Sequence, residues 1–289
     1  MYPQSADTLA WRDTAGVRTM TWTGFEELDV DAIMTTRAGG VSSGVYDSLN
    51  LGLHVGDADA RVVENRRRAA AAVGAGLDDL VFCNQTHGRG VLTVTAADSG
   101  RGTTSLSSAV EGIDALVTED SGPVLVMMVA DCVPIVLYSP SAHVAAAVHS
   151  GWRGTVARVS EAALAAMADL GAPAGDVIAG IGPAVDPETY QVGTEVADAA
   201  AECFGGDTDG VLRRQDNGSG SGSGKNNGSA KYLFNLWEAN RRILLGAGVQ
   251  ADRIHVAGVP TGGTGPFFSD RAARPCGRNA LLVRLRPRP

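Results

Sequence analysis

Three apolar runs follow one another within residues 124–153, VLVMMVADCVPIVLYSPSAHVAAAVHSGWR, and they constrain the fold more than any other part of the chain. The runs cover residues 124–130, 134–138 and 143–148. Uninterrupted runs of this length are typical of strands buried on both faces. The first run stops at Asp131 and Cys132, and the third stops at His149. Layered folds usually keep their chemistry where buried strands end, so these ends are predicted to form a site if they meet.

The remaining pattern favours an α+β fold, a layered sandwich of helices and mixed β-sheets in a single compact domain over residues 1–289. With 44% hydrophobic residues, the chain has enough apolar side chains for a large core. Strands and helices interleave without regular βαβ units, which argues against a Rossmann or barrel fold. Helices are predicted at residues 59–73, 155–170, 194–204 and 235–245. Residues 205–230 are rich in Gly, Ser and Asn and are predicted to be a flexible loop.

The charge balance and the cysteines narrow the class of partner and compartment. The chain has 24 Lys and Arg against 32 Asp and Glu, a formal net charge of −8, which argues against a nucleic-acid partner and for a small molecule. Its four cysteines form no CxxC pair, which indicates a reducing compartment. We find no signal-peptide pattern at the N-terminus and no run of membrane length, so we expect a cytoplasmic protein with no membrane partner.

His87, Cys132 and His149 are the strongest candidates for chemistry, because each follows an apolar strand and lies among small residues. Two imidazoles and a thiolate are good zinc ligands, and three protein ligands leave a fourth position open. Alternatively, Cys132 is a nucleophile activated by one of the histidines, with Asp131 as the orienting acid. In a third interpretation, Cys132 is only a small buried side chain. The sequence does not separate these three.

A second candidate is Arg37, which begins the Gly- and Ser-rich segment 37–44. Such loops expose backbone N–H groups that accept anions, and the guanidinium adds a planar fork of donors. The alternative is an ordinary surface turn.

Nine short segments, which occur in this order along the chain, together resemble those of a known protein family. They are TTRAGGVSSG, NLGLHVGD, ENR, NQTHG, DALVTED, ADCVPI, AVHSGWRG, IGPAV and FFSDR. In these segments the chain resembles the YfiH-like or laccase-domain family, formerly called multicopper polyphenol oxidases and now regarded as purine nucleoside phosphorylases. The resemblance implies a compact single-domain fold with zinc held by His87, Cys132 and His149. It also implies phosphorolysis of adenosine, inosine, guanosine and methylthioadenosine, and deamination of adenosine.

The resemblance also implies the partners, which are purine nucleosides and inorganic phosphate. Arg37, Arg66 and Arg153 are expected to bind phosphate, because guanidinium groups clamp it through two hydrogen bonds. Gln85 is expected to contact the base or support the site, and Asp131 to join the three metal ligands as a catalytic residue. Zinc lowers the pKa of bound water to about 7, which suits deamination. We expect a monomer or a small homo-oligomer.

Two other functions remain open from the sequence. One is a cysteine-dependent hydrolase or amidase acting on peptidoglycan precursors, and the other is a copper-dependent polyphenol oxidase. Multicopper centres need more histidines than the five scattered ones here, so zinc is preferred over copper. Segment 269–279 departs from the family pattern, since Asp270 stands in place of an aromatic residue and Cys276 in place of a threonine.

Overall fold

The structure, a computed structural model, describes residues 8–215 and 230–288, and within them it has eighteen strands and five α-helices. The strands are β1 (Leu9–Thr14), β2 (Val17–Trp22), β3 (Val30–Thr35), β4 (Leu80–Asn84), β5 (Val91–Thr93), β6 (Val110–Glu111), β7 (Ala115–Thr118), β8 (Val124–Val129), β9 (Val133–Ser139), β10 (Val144–Ser150), β11 (Ile178–Ile181), β12 (Ala184–Val185), β13 (Gln191–Val192), β14 (Leu212–Gln215), β15 (Lys231–Phe234), β16 (Ile254–Val256), β17 (Pro260–Thr261) and β18 (Asn279–Leu285). The helices are α1 (Asp59–Ala71), α2 (Trp152–Val156), α3 (Val159–Asp169), α4 (Thr194–Cys203) and α5 (Leu236–Gly246).

Two large mixed sheets form the centre of the molecule. The first has seven strands in the order β1-β2-β3-β18-β8-β4-β6, and the second has six in the order β16-β11-β9-β10-β7-β5. The pairs β4–β8, β4–β6, β5–β7 and β11–β16 are parallel, and the other pairs within these sheets are antiparallel. Two small sheets, β12-β17 and β13-β15-β14, lie outside this pair.

The two large sheets pack face to face, and helices cover their outer faces. Leu125 and Met127 of β8 share the central cluster with Val136 of β9. The outer face of the seven-stranded sheet packs on α1, and that of the six-stranded sheet packs on α3, α4 and α5. This order of helix, sheet, sheet and helix confirms the prediction of a layered α+β sandwich. In the described part of the chain, no helix combines the length and apolar character needed to cross a membrane.

The three apolar runs are strands β8, β9 and β10, and every residue in them is buried. They do not all belong to one sheet. Strand β8 lies in the seven-stranded sheet, whereas β9 and β10 are antiparallel neighbours in the other. Residues 130–132 therefore cross from one sheet to the other, and this places Asp131 and Cys132 at an edge of the interface between the sheets.

The observed elements differ from the predicted ones in several places. The helix predicted at residues 155–170 is two helices, α2 and α3, because Arg158 adopts a left-handed backbone with φ of 60°. The loop predicted at 205–230 contains strand β14, which pairs with β15 just beyond the predicted loop, and residues 216–229 lie outside the described residues. The hairpin of β1 and β2 was not predicted.

Candidate metal centre and adjoining clefts

His87, Cys132 and His149, which the sequence places at the ends of apolar strands, converge at one edge of the sandwich. In the β9–β10 register His149 lies opposite Pro134, two residues beyond Cys132. Strand β4 runs parallel to β8, so the loop that carries His87 leaves its sheet at the edge where β8 ends. One ligand atom from each of the three residues lies within 4.8 Å of the other two. We call these three side chains the His–Cys–His cluster.

Gly151 makes room for this cluster because it has no side chain. A Cβ atom at that position would lie 2.8 Å from the Cys132 sulfur and 2.9 Å from Cδ2 of His87. The backbone of Gly151 has φ of −73° and ψ of 178°, a conformation open to any residue. The absence of a side chain is therefore required by packing against the cluster and not by backbone geometry.

Asp114 organises the cluster from behind. Its Oδ1 atom accepts a hydrogen bond from Nδ1 of His149 at 2.8 Å, and both residues are buried. The same carboxylate accepts backbone N–H bonds from His87 at 3.0 Å and from Gly88 at 2.7 Å. One carboxylate thus orients the His149 ring and holds the loop that carries His87. A carboxylate behind a ligating histidine is the usual support of a metal site.

The electrostatics of the cluster favour a thiolate at Cys132. Burial alone would raise the pKa of the thiol, but the charge of His149 and hydrogen bonding to both histidines outweigh it and lower this pKa to about 6. Burial opposes a charged His149, yet the charge on Cys132 and the bond to Asp114 raise the pKa of His149 to about 9. For Asp114, burial is outweighed by the His149 hydrogen bond, and its pKa falls to about 2.

The donor set fits a borderline-soft divalent metal. It supplies one sulfur and two imidazole nitrogens, and the bond between Nδ1 of His149 and Asp114 leaves Nε2 of that ring to bind an ion. Among the described residues, this is the cluster of His, Cys, Asp and Glu side chains whose ligand atoms are close enough to share one ion. Three protein ligands leave room for a further ligand from solvent or substrate.

Two clefts meet at the His–Cys–His cluster. The smaller has a volume of about 350 Å³, and the larger about 880 Å³. Both volumes are of the size that small-molecule sites in proteins have. The residues that line both are His87, Asp131, Cys132, Trp152 and Tyr190. Two aromatic side chains therefore stand beside the candidate metal ligands, where the clefts join.

Asp131 and Gln85, both expected in the site, line the larger cleft but are engaged by protein groups. The two carboxylate oxygens of Asp131 accept hydrogen bonds from the Thr261 hydroxyl at 2.5 Å and from the backbone N–H of Arg271 at 2.7 Å. The side-chain amide of Gln85 donates to the carbonyl of Met128 at 2.8 Å and accepts from its N–H at 2.9 Å. In this structure, Gln85 extends the pairing of β4 with β8, and Asp131 ties the strand crossover to the segment around residue 271.

The three arginines expected to bind phosphate have different positions. Arg153 lines the smaller cleft, with its guanidinium 4.2 Å from the Trp152 ring. Arg37 does not line either cleft; its Nε donates to the carbonyl of Asp47, and its guanidinium lies over the Phe268 ring.

The expectation for Arg66 needs correction, because this side chain is fully buried. Its guanidinium donates to the carbonyls of Leu51, Gly102 and Thr103 and lies 3.7 Å from the Phe82 ring centroid. Burial lowers the pKa of Arg66 to about 9. It holds two loops together and does not reach either cleft.

Several residues of the site were missed from the sequence. Asp114 directly precedes the apolar strand β7. Polar residues were considered where buried strands end, and considering those where such strands begin would have indicated Asp114. Tyr190 lies in a segment with little periodicity, and no sequence signal places it beside the cluster. The larger cleft is also lined by Arg271, Arg274 and Arg278. These arginines were within the divergent segment 269–279 but were not assigned to the site.

A layered sandwich with a His–Cys–His cluster at the edge of its two sheets defines a class of protein, and comparison with known families gives the same class. A family model described as multi-copper polyphenol oxidoreductase laccase matches residues 31–286. The chain belongs to this laccase-domain, or YfiH, family.

Individual relatives support the assignment. Purine nucleoside phosphorylase YlmD of Geobacillus stearothermophilus is 37% identical over 226 residues, which cover 78% of each chain. A protein named adenosine deaminase RL5, from an unknown prokaryotic organism, is 36% identical over 78% of this chain and 81% of its own. The crystal structure of hypothetical protein YfiH from Bacillus licheniformis superposes with a TM-score of 0.86 at 29% identity, covering 95% of this chain and 98% of that one.

Proposed function

We propose that the protein is a zinc-dependent purine nucleoside phosphorylase with adenosine deaminase activity. The observation that carries the proposal is the His–Cys–His cluster at the junction of two clefts, in a chain related to proteins named for these two activities. The proposed substrates are adenosine, inosine, guanosine and methylthioadenosine, with inorganic phosphate as the second substrate of phosphorolysis.

His87, Cys132 and His149 would hold the zinc ion, and Asp114 would fix His149. Zinc, when bound, supplies Lewis acidity where the two clefts meet. Cys132 and His149 favour zinc over the hard ions that prefer oxygen ligands. The chain's own contribution is therefore a pre-arranged set of soft donors beside a space that a substrate can enter.

Trp152 and Tyr190 are the proposed binding surfaces for the purine. Both line both clefts, and an aromatic face stacks favourably on a planar base. Arg153, next to Trp152, has a side chain that is 60% exposed and lies 4.0 Å from the exposed carboxylate of Glu195. An ion pair this exposed is weak, so a ribose or phosphate oxygen can take the place of Glu195. Asp131 keeps its place at the cleft wall through its bonds to Thr261 and Arg271, and we assign it a role in positioning the site.

One specific observation favours a second candidate function, a cysteine-dependent hydrolase or amidase. In such enzymes a base activates the nucleophile and an acid orients the base. Cys132, His149 and Asp114 are arranged in space for these three roles, in that order. The orienting acid in that arrangement is Asp114, and not Asp131 as the sequence suggested. Because His87 also points at the same sulfur, the arrangement has one donor more than a Cys–His–Asp triad needs, and this favours the metal site.

The proposed function is tested by following each nucleoside with and without phosphate. We expect free base and ribose 1-phosphate to form from adenosine, inosine and guanosine only when inorganic phosphate is present. Inosine should form from adenosine in phosphate-free buffer, because deamination consumes water. Release of free ribose at the same rate with and without phosphate would contradict phosphorolysis, as would turnover of amides with no turnover of nucleosides.

A further inference from the structure

Three arginines line the larger cleft, where the sequence had led us to expect none of them. We propose that Arg271, Arg274 and Arg278, here called the arginine cluster, form the binding site for inorganic phosphate. We further propose that Asp270 holds this site partly neutralised until phosphate displaces its carboxylate. The proposal rests on the proposed function, because it names the place where the second substrate of phosphorolysis binds.

The charge of the cleft lining is the first support. The described residues that line it include three arginines and two carboxylates, Asp131 and Asp270. The chain as a whole carries a formal net charge of −8. A positive cleft on a negative protein attracts a dianion to that cleft in preference to the rest of the surface.

The second support is that both carboxylates are already engaged. Asp131 is held by Thr261 and by the backbone N–H of Arg271, so its oxygens are not directed at an incoming anion. Asp270 forms ion pairs with Arg274 and Arg278, the latter at 3.3 Å. A carboxylate between two guanidinium groups occupies the position that a phosphate bound by the same groups would take.

The three guanidinium groups differ in how firmly they are held. The side chain of Arg278 is 20% exposed, and its Nη1 donates to the carbonyls of Cys276 and Gly277, which fixes it in the cleft wall. The guanidinium of Arg271 lies 5.4 Å from the Tyr190 ring centroid and gives one hydrogen bond to the carbonyl of Gln191. Arginine has five N–H donors, so each of these two keeps donors for a ligand.

Arg274 is the exposed member of the cluster. Its side chain is 79% exposed, and its partners in the structure are the carboxylate and carbonyl of Asp270. An ion pair this exposed contributes little to stability, so its partner is readily exchanged for a doubly charged anion. At Arg274, exchange of Asp270 for phosphate therefore needs no rearrangement of the fold.

The location also suits the reaction. The larger cleft includes the His–Cys–His cluster in its wall and shares Trp152 and Tyr190 with the smaller cleft. A phosphate held by the arginine cluster would approach a nucleoside at the junction from the larger cleft, whereas Arg153 lines the smaller one. The two substrates would then meet beside the candidate metal ligands.

Calorimetric titration of the metal-loaded protein with inorganic phosphate tests the proposal. We expect Arg274→Ala and Arg271→Ala each to weaken phosphate binding by about tenfold, the size of one lost charge-assisted hydrogen bond. Asp270→Asn should strengthen binding several-fold, because it removes the competing charge. The matched control is Arg67→Ala, which removes an exposed arginine that is paired with Glu64 on α1, outside both clefts.

Phosphate binding that is unchanged in the Arg271 and Arg274 variants, or weakened in Asp270→Asn, would overturn the proposal. Titration with adenosine 5′-monophosphate distinguishes free phosphate from the phosphate of a nucleotide. Tighter binding of the nucleotide that depends on the same arginines would overturn the assignment to inorganic phosphate. If the expected pattern of phosphate binding appears without any ribose 1-phosphate formation, the arginine cluster is supported and the proposed function fails.

Discussion

A single buried carboxylate does most to explain the geometry of the candidate site. Asp114 accepts hydrogen bonds from the His149 ring and from the backbone of residues 86–88, so it fixes two of the three candidate ligands at once. The third, Cys132, lies in the crossover between the two sheets. The positions of the ligands therefore depend on hydrogen bonds as well as on the ends of the strands.

We predict that Asp114→Asn lowers the affinity for zinc by roughly 10–100-fold, the usual loss when the partner of a ligating histidine is changed. An amide has one oxygen in place of two, so it cannot accept both the His149 bond and the backbone bonds in the same way. Competition against a chromophoric chelator measures the affinity. The matched control is Asp120→Asn, near the other end of β7, where the carboxylate accepts a surface N–H bond from Ala96. Equal affinities in both variants would contradict the role of Asp114.

We predict that Gly151→Ala also reduces zinc affinity, and that its effect on folding is small. The added methyl group would push against the sulfur of Cys132 and the ring of His87. Gly175→Ala is the control, because a Cβ atom there would have no neighbour within 4 Å among the described residues. Zinc affinity and the free energy of unfolding should be measured for both variants. A Gly151 variant with the zinc affinity of the wild type would show that the cluster tolerates the displacement.

The residues of the site were predictable to different degrees. His87, Cys132 and His149 could be proposed from the sequence because polar residues at the ends of buried strands are informative without any tertiary structure, and the structure brings the three side chains together. The burial of Arg66 was not predictable, because its partners are carbonyls from residues 51 and 102–103, which reach it only when separate loops pack together. The same is true of the arginine cluster, which folds back onto the strand crossover through the bond between Arg271 and Asp131.

At the scale of elements, the strands were easier to predict than the breaks between helices. Strands β8, β9 and β10 were evident as apolar runs, since burial on both faces leaves little freedom in composition. The division between α2 and α3 at Arg158 has no glycine or proline to mark it. The break depends on packing alone. It cannot be predicted from this alanine-rich sequence, because the residues have good helix propensity throughout.

Asp176 joins the end of strand β9, the turn that follows it and the residue before β16. We predict that it makes stability depend on pH. Burial would raise the pKa of its carboxyl, but hydrogen bonds from Ser139, Ser141 and Arg253 outweigh burial and lower this pKa to about 2. The pKa in the unfolded chain is about 3.9. Because the folded value is the lower one, the stabilisation is fully present above pH 4 and is lost as the pH falls towards 2.

The variant Asp176→Asn should therefore be less stable than the wild type at pH 7, by roughly 1–2 kcal/mol. The difference should shrink between pH 4 and pH 2, because the wild type loses the same charge there. Urea unfolding at several pH values measures both. A difference that stays constant down to pH 2 would mean that the hydrogen bonds do not depend on the charge of Asp176.

The whole molecule places its candidate chemistry at one edge of the interface between the two large sheets. The layers were predictable, since strands buried on both faces need cover on both sides, and helices supply it. The two clefts were not, because they depend on where Tyr190 and the segment around Arg271 settle against that edge. The fold thus provides the set of candidate ligands, and the less regular segments provide the walls of the clefts.

The most direct test of this account is the zinc content of the purified Cys132→Ala variant, measured together with its rate of ribose 1-phosphate formation from adenosine and phosphate. The matched control is Cys203→Ala, a partly exposed cysteine at the end of α4 and outside both clefts. We predict one zinc per chain and phosphorolysis in the wild type and in the control, and the loss of both in Cys132→Ala. A Cys132→Ala protein that keeps its full zinc content, or that forms ribose 1-phosphate at the wild-type rate without zinc, would contradict the account.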